Sequence, residues 1–455
     1  MKFLIVTAWY HPFIHPRAHR WTALAKHWAA SGHDIHVLTA RVGDAPKSAM
    51  TDGVQVHRVG FDSLKEWLYH ILQVKNGRGR VGAPPQQSGK LLQVLEWGYK
   101  AIWKNLFFPD DACIWYFPAK RKMLQLLEKD QFDAIITVSL PFTDHLLGLV
   151  AKKKHSALFW LADIGDPFSI QAKAPNNSWL YKKKNLQLER KVLAMADAVT
   201  VTTPATIKAY EKLFGTAIAQ KISVVPPLLR PPEQSLEKQP QLAGINLGYF
   251  GALYAPTRTP DALLLLLDKI FVLRPELQEE LTLHFYGEIF PEFYEQLTKR
   301  SAFRNPKSQI RIINGAFRNP QSQIRIRLHG LRSRAETWAA MQSMDILVNI
   351  GNTTDFQLPS KAVEYLAAGK PILNLSYVED DPFTQFFEGN RLVFNLLVRE
   401  GAIAEEQVLV FLDWLESEKP VLDMIALEEK VRPFLVGNIA DIYSELCLSL
   451  DSQNR

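Results

Sequence analysis

Residues 358–373, LPSKAVEYLAAGKPIL, contain a short loop, one helical segment and the beginning of a buried strand. Pro359 is typical of a helix start and Gly369 of a helix end. Lys361 lies one turn before Glu364, so the first turn of this helix carries two opposite charges. A helix that only filled a core would not need such a pair. The stretch therefore predicts a polar site within an α/β unit.

The size and composition of the chain indicate a two-domain globular protein. Its 455 residues exceed what one hydrophobic core normally holds, and 47% hydrophobic with 22% charged residues is an ordinary globular composition. The two cysteines, Cys113 and Cys447, form neither a disulfide framework nor a metal-binding spacing. We therefore expect a reducing compartment and exclude metal chemistry through cysteine.

The charge and hydropathy of the chain indicate which partners and which cellular location to expect. A net charge of +6 and an isoelectric point near 9.0 favour anionic partners. Nucleic acid ranks last among them, because the sequence has no zinc-finger spacing and no arginine-rich helix. The N-terminal MKFLIVTAWYHP is typical of a buried strand rather than a signal peptide, and no segment reaches the ~20 apolar residues of a membrane span. We expect a cytoplasmic protein that is soluble or lies on the inner face of a membrane.

Short apolar segments alternate with helical patterns along both halves of the chain. Predicted strands of the first half are residues 3–7, 35–39, 54–59, 134–138, 157–162 and 198–202, and those of the second half are 247–250, 281–286, 324–328, 346–349 and 371–375. Such alternation predicts βαβ units and mostly parallel sheets. A stretch rich in proline and glutamine, residues 229–243, separates the halves as a linker.

We therefore predict an α/β protein with two doubly wound parallel-sheet (Rossmann-like) domains that face a cleft. The first domain spans residues 1–228 and the second spans residues 244–430. Residues 431–455 have apolar positions at helical spacing and are expected to return to the first domain. Open parallel sheets bind ligands at the carboxyl ends of their strands, so we expect the site at the cleft.

Three segments stand outside this alternation. Residues 76–89, rich in Gly, Pro and Gln, predict a loop. Residues 302–329 hold a tandem near-copy, AFRNPKSQIRIING followed by AFRNPQSQIRIRLH, which favours a tolerated duplication over a functional role for its arginines. Residues 90–108, KLLQVLEWGYKAIWKNLFF, interleave aromatic residues with lysines. That pattern predicts either packing into the first domain or contact with an anionic membrane surface.

Candidate anion-binding residues follow strands of the second domain. Lys361 opposes the helix dipole unless an anion is bound there, and Pro359 and Ser360 begin its helix with free N–H groups. Glu364 can accept hydrogen bonds from a pair of sugar hydroxyls. The alternative is a capped helix with an exposed ion pair.

Two further strand ends of this domain carry a glycine, with Glu288 next to Gly287 and Arg258 at the helix start that follows Gly251. Gly251 admits close backbone approach to an anion, and Arg258 can clamp a pyrophosphate through two parallel hydrogen bonds. Gly287 and Glu288 are either a turn with an exposed acid or a second contact to the same ligand. With Lys361 nearby, we favour an anion site over a plain turn.

These stretches resemble motifs of the GT-B glycosyltransferases, in particular the retaining family 4. PSKAVEYLAAGKPIL resembles the donor-site motif of that family, LADIGDPF (161–168) its ADxRDPW stretch, and YFGALYAPTRTPDALL (249–264) its Gly-loop. The first β-α-β unit and ADAVTVTTPATIKAYEKLFG (196–215) are also similar. The five stretches occur in the family's order and cover essentially the whole chain.

The resemblance implies a retaining transferase that moves a sugar from a nucleoside-diphosphate sugar to a polysaccharide or lipid-linked acceptor of a bacterial envelope pathway. No cofactor beyond the donor substrate is expected. No metal is expected either, because the sequence has no acidic pair suited to a metal-bound diphosphate. Residues and resemblance together give three groups of site residues: catalytic Arg258, Lys361 and Glu364; donor-binding Gly251, Gly287, Glu288, Asp355, Pro359 and Ser360; and acceptor-side Arg17, Arg20, Ser139, Asp144, His145, Asp163 and Asp166.

The acceptor-side residues follow strands of the first domain. Arg17 and Arg20 belong to YHPFIHPRAHRW (10–21), which we interpret as a loop after the first strand that binds phosphate or sugar. Ser139 stands where related enzymes often have a histidine. One of Asp163 and Asp166 is expected to cap a helix and the other to bind hydroxyls.

The chain departs from the family pattern at several positions. Phe356 stands where a first glutamate is frequent, Gly165 where an arginine is usual, and Ala252 where the Gly-loop often has a cation. Two alternatives therefore stay open: a nucleotide-sugar epimerase on the same fold, and a degenerate GT-B domain that binds without transfer. An inverting enzyme would need a carboxylate base, for which Asp144 is the best candidate.

Overall fold

The computed structural model describes residues 1–43, 45–71, 98–99, 103–171, 174–229, 242–255, 258–300, 324–419 and 424–448. These residues form two compact units, one of Met1–Leu228 with Pro433–Arg455 and one of Leu229–Arg432. Residues 76–89 lie outside the described residues. So do most of the linker, most of the tandem repeat, and all of the aromatic–lysine segment except residues 98–99 and 103–108.

The first unit is built on an eight-stranded sheet. Its strands are β1 (Lys2–Val6), β2 (Asp34–Thr39), β3 (Ser48–Thr51), β4 (Val54–Arg58), β5 (Ala134–Ser139), β6 (Phe159–Ile164), β7 (Ala198–Val201) and β8 (Ile222–Val224), in the spatial order β3-β4-β2-β1-β5-β6-β7-β8. Neighbouring strands are parallel except for the β3–β4 pair. The strand order reverses between β1 and β5, so the carboxyl ends of these strands flank the topological switch point.

Helices cover both faces of this sheet. They are α1 (Pro16–Ala30), α2 (Leu64–Ile71), α3 (Lys104–Leu106), α4 (Tyr116–Lys129), α5 (Thr143–Lys154), α6 (Ser178–Met195), α7 (Pro204–Phe214) and α8 (Thr216–Ala219), with a 3₁₀ turn at Asp111–Trp115. Side chains of α4, α5 and α6 pack into one core, whereas α1 contributes Trp21 and Trp28 to the other. Burial on both faces explains why β5 is buried along its whole length.

The second unit contains a six-stranded, wholly parallel sheet. Its strands are β9 (Ile245–Phe250), β10 (Leu281–Tyr286), β11 (Arg325–Gly330), β12 (Ile346–Ile350), β13 (Ile372–Ser376) and β14 (Val393–Leu397), in the spatial order β11-β10-β9-β12-β13-β14. Its helices are α9 (Asp261–Leu273), α10 (Leu277–Glu280), α11 (Pro291–Arg300), α12 (Arg334–Ser343), α13 (Ala362–Ala368), α14 (Pro382–Phe386), α15 (Glu405–Glu416) and α16 (Met424–Val431), with a 3₁₀ turn at Arg432–Phe434.

The last helix, α17 (Val436–Leu448), belongs to the first unit. It packs against α1, and its Ile439, Ala440 and Tyr443 are buried in the same core as Trp21. The hydroxyl of Ser444 accepts a hydrogen bond of 3.1 Å from Trp28 Nε1. The chain thus begins and ends in one unit.

The predicted fold class is confirmed, with differences in three strands and two helix starts. The strands β3, β8 and β14 were not predicted, because they are short or lie at sheet edges where the apolar pattern is weak. Helix α1 begins at Pro16, inside the stretch 10–21 that was predicted to be a loop, and α13 begins at Ala362 rather than at Pro359. No helix in the described ranges is long and apolar enough to cross a membrane.

Candidate functional site

Four adjacent strands of the second sheet end in glycine. Gly330 is the last residue of β11, and Gly287, Gly251 and Gly351 directly follow β10, β9 and β12. A Cβ at Gly287 would lie only 2.2 Å from the Gly251 carbonyl oxygen, so the loops after β9 and β10 touch through their backbones. This edge offers backbone rather than side chains to a ligand. Sequence reasoning missed Gly330 and Gly351, although glycine directly after an apolar strand was the available signal.

Arg258 is anchored beside this edge but keeps an unused donor. Its backbone exchanges two hydrogen bonds of 2.9 Å with Tyr254, and its Nη2 donates to Asn352 Oδ1 at 3.3 Å. Its Nε is buried and has no hydrogen-bond partner within the described part of the chain. A buried guanidinium nitrogen without an acceptor is costly unless a ligand supplies one. Asn352, which follows β12, was not predicted as a site residue.

Lys361 and Glu364 form an ion pair at the start of α13. The pair joins Lys361 Nζ to Glu364 Oε2, and Arg334 Nη2 lies 3.9 Å from Glu364 Oε1. Arg334 stands in the first turn of α12, just after β11, and was missed because a single exposed arginine there has no sequence signature. The carboxylate therefore has a cation on each side.

Tyr365 follows Glu364 in the chain and joins α13 to the second sheet. Its hydroxyl donates to the Val348 carbonyl at 2.9 Å and accepts from the Phe250 amide at 3.3 Å. Burial raises its pKa well above the ordinary value, and smaller contributions come from the charges of Glu364 and Arg258. Both charged groups are thus within electrostatic reach of one phenol.

The remaining predicted donor residues differ in exposure. Glu288, Asp355 and Ser360 are exposed, whereas Pro359 is buried. Phe356 is buried as well, so an apolar ring fills the position where the resembled motif often has a glutamate.

Arg17 lies at the carboxyl edge of the first sheet. It stands in the first turn of α1 rather than in a loop, because Pro16 starts the helix and the His15 ring accepts a hydrogen bond of 3.2 Å from the Arg17 amide. Its Nε donates to the Ser139 carbonyl at 2.8 Å, and its Nη2 pairs with the Asp163 carboxylate. The arrangement fixes the guanidinium between the ends of β5 and β6.

Gly165 is needed for this placement. A Cβ at Gly165 would lie 2.4 Å from Cζ of Arg17. Any larger residue would therefore displace the guanidinium. The resembled motif has an arginine at position 165, and in this chain the cation beside that position comes from α1.

Asp163 and Arg20 are buried and have partners inside the unit. Thr200 Oγ1 and the Tyr443 hydroxyl each donate to Asp163 Oδ1 at 2.7 Å, and Arg20 donates to the Pro226 carbonyl at 2.7 Å and to the Tyr443 hydroxyl at 3.2 Å. Burial alone would raise the pKa of Asp163, but the charges of Arg17 and Arg20 hold it below the ordinary value. Neither side chain is presented to a ligand in this structure.

Ser139, Asp144 and His145 are also fully buried. Asp144 Oδ2 accepts from the Ala8 amide at 3.0 Å, while burial raises the pKa of this carboxyl well above its ordinary value. His145 Nδ1 lies 2.7 Å from Thr137 Oγ1, and burial lowers the pKa of the imidazole to about 3. Burial thus favours the neutral form of both groups, which makes Asp144 poorly suited to act as a carboxylate base.

Asp166 is half-buried in the loop after β6. That loop is held by Glu189 of α6, whose carboxylate accepts hydrogen bonds from the Phe168 and Ser169 amides at 2.6 and 3.0 Å. Burial raises the pKa of Glu189, and Tyr210 donates to it at 2.7 Å. Sequence reasoning missed Glu189, since nothing marks a glutamate in a polar helix as buried.

The described residues contain no group of three or more His, Cys, Asp or Glu side chains that could hold one metal ion.

The sequence and fold were compared with known proteins. Residues 18–227 match the family model described as glycosyl transferase 4-like domain. A search of curated proteins gives no match.

Solved structures of similar fold extend over the whole chain. An α,α-trehalose 6-phosphate synthase from Burkholderia multivorans has 11% identity and a TM-score of 0.62, with 100% of this chain and 99% of that chain covered. WaaG, a glycosyltransferase involved in lipopolysaccharide biosynthesis, has 15% identity and a TM-score of 0.53, with 97% and 99% covered. The E. coli trehalose-6-phosphate protein bound with UDP-2-fluoro glucose has 13% identity and a TM-score of 0.55, with 100% and 98% covered. At these identities the comparison shows the fold alone.

Proposed function

We propose that this chain, whose residues 18–227 match a glycosyl transferase 4-like domain, is a glycosyltransferase of the GT-B fold. We propose further that it transfers a sugar from a nucleoside-diphosphate sugar with retention of anomeric configuration. The second unit binds the donor. The observation that carries this assignment is the buried, unused Nε of Arg258 beside four glycine-ended strands. The similar E. coli structure is bound with a UDP-sugar analogue, which supports the same class of ligand.

Each donor-site residue has a chemical role in this proposal. The diphosphate accepts hydrogen bonds from Arg258 and from backbone amides of the loops that begin at Gly251 and Gly287. Lys361 exchanges part of its ion pair with Glu364 for a phosphate oxygen. Glu364, kept close by Arg334, accepts from sugar or ribose hydroxyls. We assign Ser360, Asp355 and Glu288, which are exposed, to donor binding as well, together with the buried Pro359.

Retention needs little acid–base chemistry from the protein. The bond from the anomeric carbon to the diphosphate oxygen breaks, and the acceptor oxygen bonds to the same face of that carbon. The acceptor's hydroxyl proton moves to the departing phosphate oxygen. The protein's main task is then to stabilise negative charge on the diphosphate, for which Arg258 and Lys361 are suited.

The first unit supplies the acceptor side. Arg17 and half-buried Asp166 are the groups nearest the ends of β5 and β6 that we assign to acceptor binding. Arg17 is positioned by Asp163, which in turn is held by Tyr443 and Arg20. These three buried residues do not contact the acceptor in this proposal. Ser139, Asp144 and His145 act only as buried support. A saccharide or lipid-linked acceptor of a bacterial envelope is the class we propose, by analogy with the lipopolysaccharide enzyme of similar fold.

Thermal-shift measurement with a panel of nucleoside diphosphates and nucleotide sugars tests the donor assignment. A ligand at 100 times its Kd stabilises the folded chain by about 2.7 kcal/mol, which gives a clear rise in Tm. The Arg258→Ala variant should lose the rise, while Arg391→Ala, a change of an exposed arginine in the same unit, should keep it. No rise with any member of the panel would overturn the assignment.

Product analysis separates transfer from the alternatives. With donor and a saccharide acceptor, NMR of the product should show the donor's anomeric configuration. An epimerised nucleotide sugar formed without acceptor would identify an epimerase instead. Binding without turnover of any acceptor would indicate a degenerate domain.

A further inference from the structure

The first turns of α6 present apolar side chains followed by three lysines. Trp179 is 90% exposed and Leu180 is 46% exposed. Lys182, Lys183 and Lys184 follow in the next turn, and all three are exposed. Nothing in the proposed transfer reaction uses these residues.

This end of α6 is held in place by hydrogen bonding and ring packing. Asn177 caps the helix by accepting from the Leu180 amide at 3.4 Å. The Tyr181 hydroxyl donates to the Leu106 carbonyl at 2.8 Å, and the Tyr181 ring lies 5.0 Å from that of Phe108. Leu106 is itself 56% exposed. We call Leu106, Trp179, Leu180 and the three lysines the α6 tip.

The charge of the α6 tip is unfavourable for an isolated helix. The three consecutive lysines place three positive charges in one turn, and that turn lies next to the positive end of the helix dipole. The first turn contains no acidic residue. Within the described residues none of the three lysines forms an ion pair, and Lys184 lies 5.6 Å from the Tyr181 ring centre. An external anionic surface would relieve both unfavourable terms.

Helix α4 repeats the pattern at the same end of the unit. Phe117 is 72% exposed, and Lys120, Arg121 and Lys122 follow one turn later, with Arg121 exposed and both lysines half-buried. Both α4 and α6 pack on α5, and they lead into the parallel strands β5 and β7. Their first turns therefore lie at the same end of the helical layer. Trp179 and Phe117, each followed by three basic residues, therefore form an extended surface rather than a groove.

We propose that this end of the first unit docks on the headgroup region of an anionic lipid bilayer. Trp179, Leu180, Leu106 and Phe117 would enter the interface, and the two basic triplets would lie against anionic headgroups. A second copy of this chain fits poorly, because it would bring lysines against lysines. The surface deepens the proposed function and rests on its lipid-linked acceptor, which it would bring to the unit that binds it.

Flotation of the full chain with phosphatidylcholine vesicles, with and without 30% phosphatidylglycerol, tests the proposal in the absence of donor. We expect binding only to the anionic vesicles, and weaker binding as salt rises. Replacing Lys182, Lys183 and Lys184 by glutamine should reduce partitioning about 100-fold, since each lysine contributes roughly fivefold. Trp179→Ser should reduce it about tenfold.

Matched variants control for charge and apolar area. Replacing Lys153, Lys208 and Lys212 by glutamine removes the same charge from exposed positions of the same unit, and Leu213→Ser removes another exposed apolar side chain. Both should bind like the wild type. Brominated lipid should quench wild-type fluorescence more than that of Trp179→Phe.

Three results would overturn the proposal: equal recovery with neutral and anionic vesicles, no recovery with either, or equal losses in the tip and control variants. Donor binding by thermal shift is measured on the same variants. If flotation fails while nucleotide sugars still raise Tm, the docking surface is wrong and the donor assignment stands. If flotation succeeds and no nucleotide sugar binds, the proposed function is wrong and the surface stands.

Discussion

The Tyr443 hydroxyl donates a hydrogen bond of 2.7 Å to Oδ1 of Asp163, joining the last helix of the chain to strand β6. The same hydroxyl accepts a hydrogen bond from Arg20 at 3.2 Å. Asp163 in turn holds Arg17, the cation at the carboxyl edge of the first sheet. The C-terminal helix is therefore part of the framework that positions the proposed acceptor site.

Tyr443→Phe is expected to destabilise the protein by roughly 1–3 kcal/mol, because it leaves buried donors and acceptors without a partner. Urea unfolding of the whole chain measures this change. Tyr181→Phe is the control, since the bond of Tyr181 to the Leu106 carbonyl is exposed to water. If both variants lost the same free energy of unfolding, the buried hydrogen bonds of Tyr443 would contribute no more to stability than an exposed one.

Asp144→Asn is expected to change the pH dependence of stability. Burial raises the pKa of Asp144 well above its ordinary value, so the folded chain keeps a proton that the unfolded chain releases above about pH 4. The wild type therefore loses stability as pH rises through this range. Asparagine keeps an oxygen for the Ala8 amide but cannot ionise.

The free energy of unfolding of Asp144→Asn minus that of the wild type should therefore increase from pH 4 to pH 7, because only the wild type loses stability over this range. Denaturant titrations at pH 4, 5.5 and 7 measure this trend. A packing difference between asparagine and aspartic acid would shift all three values equally and would leave the trend unchanged. A difference independent of pH would mean that Asp144 is ionised in the folded chain.

Arg258→Ala and Lys361→Ala are each expected to lower transfer 100-fold or more, about 3–4 kcal/mol, the usual effect of removing one transition-state donor. Initial rates with saturating acceptor measure this loss, and far-UV circular dichroism should show an unchanged fold. Arg391→Ala should retain full activity. If a well-folded variant with both substitutions turned over at the wild-type rate, the diphosphate would not bind at this edge of the sheet.

Gly287→Ala is expected to destabilise the chain by several kcal/mol and to abolish donor binding. Its φ is +135°, and the new Cβ would lie 2.2 Å from the Gly251 carbonyl oxygen. Gly330→Ala is the matched control at the neighbouring strand end. It also has positive φ, +66°, but nothing lies within 4 Å of its Cβ position, so about 1 kcal/mol is expected. Similar Tm values for the two variants would contradict the close loop contact.

Much of the fold was predictable, because it depends on patterns that extend over several residues. Buried strands such as β1 and β5 appear as continuous apolar runs, and glycine or proline marks where most elements end. The edge strands β3 and β14 were missed, since a half-exposed strand has no such run. The start of α1 was misplaced because histidine was not recognised as a helix cap.

The candidate donor residues Gly251, Arg258, Lys361 and Glu364 could be named from the sequence because each lies in the loop after a predicted strand or near the start of the next helix. Glycine after an apolar run and a cation opposing a helix dipole are local features, and the chain itself encodes them. Tertiary structure decided everything that depends on residues far apart in sequence. It placed Arg334 beside Glu364 and Arg17 beside Gly165, and it buried Asp163 beneath Tyr443. Burial of a charged side chain depends on partners hundreds of residues away, so no local pattern could separate the side chains that face a ligand from those that hold the fold together.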